Sequence, residues 1–80
     1  MDLYSIKAQQ HFDKLKRLYE RGAAADDEAI HHHCELGNVL HSAAADPTST
    51  DAARIRALME KADKILEEMK KRPPAPGHLD

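Results

Sequence analysis

Wound as a helix, residues 26–45, DDEAIHHHCELGNVLHSAAA, are apolar around more than half of the circumference. With Ile30 set at zero and an advance of about 100° per residue, Cys34, Gly37, Ala44, Leu40, Ala29, Leu36, Ala43 and Val39 fill one broad arc. His31, Glu35, Asn38 and Ser42 gather on the narrow remainder. One neighbouring helix does not cover an arc that wide, so a helix is expected on each side of it. The chain carries a helical pattern before and after this segment to supply them.

The first of these spans residues 3–21. Tyr4, Ala8, Phe12, Leu15, Leu18 and Tyr19 recur at three- and four-residue steps, with His11 set within the stripe. Asp2 or Ser5 is placed to cap its start. Gly22 can take the left-handed conformation that ends a helix at little cost. Lys7, Lys14, Lys16, Arg17 and Arg21 make its other face basic. The link to the next helix is short, which implies an antiparallel hairpin. Asp26, Asp27 and Glu28 then crowd a first turn where negative charge is favoured.

Asp46-Pro47 ends the second helix, because proline disfavours the α conformation in the residue before it. Thr48, Ser49 and Thr50 offer caps for a third helix over residues 49–71. There Ile55, Leu58, Ala62, Ile65 and Met69 alternate steps of three and four, and Met59 and Leu66 widen the seam. Glu60 with Lys64 and Glu67 with Lys71 are supportive pairs four residues apart. Pro73-Pro74-Ala75-Pro76-Gly77 stops the helix. The expected organisation is one helical domain over 1–72 and a flexible Pro-rich tail over 73–80. The expected fold is all-α, an up-down-up three-helix bundle.

Eighty residues leave a thin core. With no Trp and 4% aromatic residues, that core is built from Leu, Ile, Ala and Met. A net charge of −2 argues against broad nucleic-acid or membrane-surface binding. Cys34 is the only cysteine, which excludes a disulfide within the chain and fits a reducing compartment. The opening MDLYSIKAQQ has no apolar run, so no secretory leader or membrane anchor is read there, and the expected location is cytoplasmic.

Six histidines raise the question of metal. On the wheel His31 faces solvent, His32 sits at the edge of the arc and His33 lies in its middle, so the three consecutive rings point apart. Glu28 and His31 have the Glu-x-x-His spacing of carboxylate-bridged metal bundles, but that arrangement needs a second copy and further inward carboxylates. His11 and His33 are read as imidazoles buried on facing stripes, each satisfied by one hydrogen bond. Cys34 and His41 lack the orienting group and oxyanion hole of a thiol nucleophile. Residues 33–37, His-Cys-Glu-Leu-Gly, resemble the phosphoacceptor segment of histidine phosphotransfer domains, where a basic residue stands in place of Leu36. The chain is not assigned to that family.

These features point to a small non-enzymatic helical interaction module: an adaptor, co-chaperone, regulator or inhibitor. It is expected to bind a protein partner or its own copy through Ile55, Met59, Ala62, Leu66 and Met69, an edge expected to leave a contiguous apolar strip exposed in a lone three-helix chain. No cofactor is expected. The alternative is a protein that binds a metal through Glu28, His31 and His32, or a small anion through the basic face of the first helix.

Overall fold

A computed structural model describes residues 2–73 and begins the first helix, α1 (Leu3–Glu20), at Asp2, whose carboxylate accepts from the Ser5 amide at 2.9 Å. Its end is closed by Gly22 at φ +83°, which lets the Gly22 and Ala23 amides donate to the Tyr19 and Leu18 carbonyls, each at 3.0 Å. The second helix, α2 (Asp27–Ala45), is capped by Asp26, which accepts from the Ala29 amide at 2.9 Å. It stops at Asp46, held extended ahead of Pro47. The third, α3 (Ala52–Lys70), starts at Ala52 rather than at residue 49. Of the polar residues read as its caps, Thr48 and Ser49 are engaged elsewhere. Thr48 donates to Asp46, Ser49 donates to Asp2, and the Asp51 carboxylate receives the Asp2 amide at 3.0 Å.

The expected up-down-up bundle forms, and each helix packs against both of the others. Leu15, Leu36, Ile55 and Met69 are wholly buried, and Ala8, Ala29, Ala43 and Ala62 lie between them, where a small side chain lets helix backbones approach. Tyr4, Val39, Leu40, Met59 and Ile65 pack around this centre, half-buried.

That closure overturns the exposed strip expected on α3. Ile55, Ala62 and Met69 are fully buried, Leu66 is 7% exposed, and Met59 is half-buried against the core. The expectation gave two neighbours to α2 alone. In a three-cornered bundle α1 also packs on α3, and the wide seam of α3 is what two neighbours require.

Polar clamps fasten both ends. At one, the Tyr4 hydroxyl donates to Asp46 at 2.8 Å, beside the Asp2–Ser49 and Asp2–Asp51 contacts, joining the start of α1 to the α2–α3 connection. At the other, the Arg72 guanidinium donates to the Tyr19 carbonyl at 2.6 Å and the Ala23 carbonyl at 3.3 Å, and lies 4.4 Å over the Tyr19 ring. The Ala25 amide donates to the Met69 carbonyl at 3.1 Å at the same end. On the α3 surface the ion pairs are Glu67–Lys70 and Glu68–Lys71, three residues apart, in place of the expected four-apart pairs. Pro73 is exposed, and the remainder of the tail read over 73–80 lies outside the described residues.

Candidate functional site

The polar residues of the α1–α2 seam converge on one level. His11, on the α1 stripe, meets His32 of α2 with the two Nδ1 atoms 3.1 Å apart. His32 is buried, 8% exposed, whereas His11 is half-buried and His31 is exposed at the rim. The three rings form a cluster with centres 5.3 Å (His11–His32), 5.2 Å (His31–His32) and 6.3 Å (His11–His31) apart. Burial is the largest influence on both seam histidines and holds each below the usual imidazole pKa. Glu35 pulls His11 the other way and Glu28 does so for His32, while Lys14 and the neighbouring histidines reinforce the lowering.

The structure therefore corrects the phase of α2. His32, read at the edge of the arc, faces the core. His33, read at its centre, is half-exposed and its Nε2 lies 2.6 Å from Asp63 of α3. Ile30, the origin of the wheel, is 44% exposed, and Cys34 is exposed as well. The buried positions are Ala29, His32, Leu36 and Ala43, a series of three- and four-residue steps like that of α3. Giving Ala and Cys the same weight as Leu moved the centre of the arc by roughly 60°, less than one residue step of about 100°. The meeting of His11 with a histidine across the seam was the feature missed. The 29-32-36-43 spacing, counted from the Asp26 cap, was the signal that could have found it.

Of the metal alternative, Glu28 and His31 are exposed and His32 is buried. Among the described residues no three or more His, Cys, Asp or Glu side chains are posed together as a ligand set. The basic residues of α1 are all exposed, Lys7 beside a cleft and Arg17 in the last turn, where the helix dipole favours a cation.

The cleft lies at the start of α1, opens to solvent and encloses about 530 Å³ between Leu3, Tyr4 and Lys7 and the Asp46–Ser49 connection. Hydrogen bonds from the Ser5 amide and the Ser49 hydroxyl hold the Asp2 carboxyl below its usual pKa, the Ser5 amide contributing most. The Thr48 hydroxyl and amide and the Tyr4 hydroxyl do the same for Asp46. The partnership with Asp46 raises the Tyr4 phenol. Leu3, 73% exposed, and Ile6, 41% exposed, stand one helical turn apart on α1 at this end. Among the described residues no helix is long and apolar enough to cross a membrane. In comparisons with protein-family models, curated proteins and solved structures, nothing matches this chain.

Proposed function

We propose that the protein is a non-catalytic interaction module of the cytoplasm that binds a protein partner at the N-terminal end of α1. The observation that carries this reading is the pair Leu3 and Ile6, two large aliphatic side chains left in water beside a cleft, while the apolar seam of α3 is covered within the protomer. Two carboxylates held below their usual pKa, Asp2 and Asp46, line the cleft together with Lys7. The occupant that fits is a partner segment that lays an apolar side chain against Leu3 and Ile6 and brings a cation or free N–H groups to the carboxylates.

The test compares the wild type with a Leu3→Glu/Ile6→Glu double variant. Both positions are solvent-facing, so the variant should fold and melt like the wild type. A protein captured from the native host, identified by mass spectrometry, should be lost with the variant and should dissociate with rising salt. Capture unchanged by the variant would overturn the reading. A salt-insensitive homodimer broken by the variant would replace the partner with a second copy of the chain.

A further inference from the structure

We propose that acid opens the seam between α1 and α2 at the level of His11 and His32 while α2 stays on α3, held there by His33. The reading does not rest on the partner surface, which lies at the end of the bundle.

His32 and His33 are consecutive, so their side chains leave α2 about 100° apart and reach different neighbours. The His32 Nδ1 meets the His11 Nδ1 of α1 at 3.1 Å, and the His33 Nε2 lies 2.6 Å from the Asp63 carboxylate of α3. Protonation acts on these two contacts with opposite sign. Across the first, one Nδ1 donates the hydrogen that the other accepts. A first added proton leaves that bond standing, whereas a second sets N–H against N–H and places two cations in one seam. At the other contact a carboxylate only accepts, so His33 donates from Nε2. A proton added at its Nδ1 turns that hydrogen bond into an ion pair.

The charges that reach the seam pair come from α1 and α2. Lys14 and the exposed His31 oppose a proton there, and Glu28 and Glu35 favour one. Among the described residues α3 sends none to either ring. One turn from His33 on α2 stand Ala29, Ile30, Leu36 and Gly37, all uncharged, and Asp63 is the acid that α3 turns toward it. The pair sits midway along α1, with a polar clamp beyond it at each end. Hydrogen bonds hold the Asp2 and Asp46 carboxyls of one clamp below the usual carboxylate range, and Arg72 of the other is always a cation. A fall in pH that doubly protonates the pair therefore leaves both clamps fastened and strikes the middle of the seam. Ala8 and Leu15 on α1 and Ala29 and Leu36 on α2, one turn from the rings, are wholly buried and meet water when it opens.

Two doubly spin-labelled chains test this, each pairing Cys34 with one exposed position, Gln10→Cys on α1 or Lys64→Cys on α3. Between pH 7.5 and pH 4.5, with helicity followed by circular dichroism, the distance from Cys34 to position 10 should lengthen by several ångströms. The distance from Cys34 to position 64 should hold. An aliphatic pair, His11→Leu/His32→Leu, should cancel the lengthening, and Asp63→Asn, which removes the ion pair, should let both distances grow. Should the aliphatic pair fail to fold, the His11 and His32 ring resonances of the wild type should titrate at the pH where the distance changes. An unchanged α1–α2 distance in acid, equal lengthening of both distances in the wild type, or lengthening kept by a folded aliphatic pair would each overturn the proposal. So would rings that titrate away from the distance change, or an Asp63→Asn chain that responds like the wild type.

Discussion

His11 and His32 keep their contact only while at least one Nδ1 is free of a proton, because two N–H groups cannot face each other at 3.1 Å. Both folded pKa values lie below the unfolded value of about 6.5. The unfolded chain therefore binds protons first as pH falls. The contribution of the pair is intact above the unfolded pKa and is lost as pH drops through the lower folded values. Melting measured between pH 7.5 and 5 should show this loss, and His11→Phe should make the profile flatter. Gly37 is a second informative position. A methyl there would meet only the flexible Cε of Met59 at 3.6 Å, an ordinary contact. The glycine thus makes no room for a neighbouring backbone, and Gly37→Ala should stabilise the protein by about 0.5–1 kcal/mol in urea unfolding.

The elements differ in how far their residues declared them. The seam of α3 could be read directly because Ile55, Leu58, Leu66 and Met69 are large and alternate with charge, so pattern and burial coincide. The phase of α2 could not, because its buried face holds two alanines and a histidine while Ile30 and Cys34 lie outside it. Tertiary packing decided that face, and the 29-32-36-43 spacing was its one trace within α2. Nor did the sequence disclose the end clamps, since Asp2, Asp46, Asp51 and Arg72 are joined across more than forty positions. The clamp at Arg72 is the stronger. It closes the carbonyl end of α1 with a charged donor and stacks on Tyr19, so Arg72→Ala should cost about 1–3 kcal/mol by chemical denaturation. Arg72→Lys should recover only part of that, because an ammonium cannot lie flat over the Tyr19 ring as the planar guanidinium does.

For the molecule as a whole, burial of the α3 seam changes what a charge there does. Leu66→Lys should behave like Leu15→Lys and abolish cooperative folding, because both side chains sit in the same three-helix core. Circular dichroism with thermal melting distinguishes this from release of an assembly, in which helicity would persist. The candidate site was legible in part: the histidine-rich run stood out from composition, but which ring turned inward depended on α1. The exposure of Cys34 has its own consequence. A lone thiol on the outside of a small bundle can be oxidised between molecules, so in air the chain can accumulate covalent pairs that sediment like a specific dimer. Work on its assembly therefore calls for reductant or Cys34→Ser. The same sulfur also offers a single attachment point for a fluorophore or spin label, two residues along the chain from His32 and outside the core, from which opening of the seam could be followed optically or magnetically.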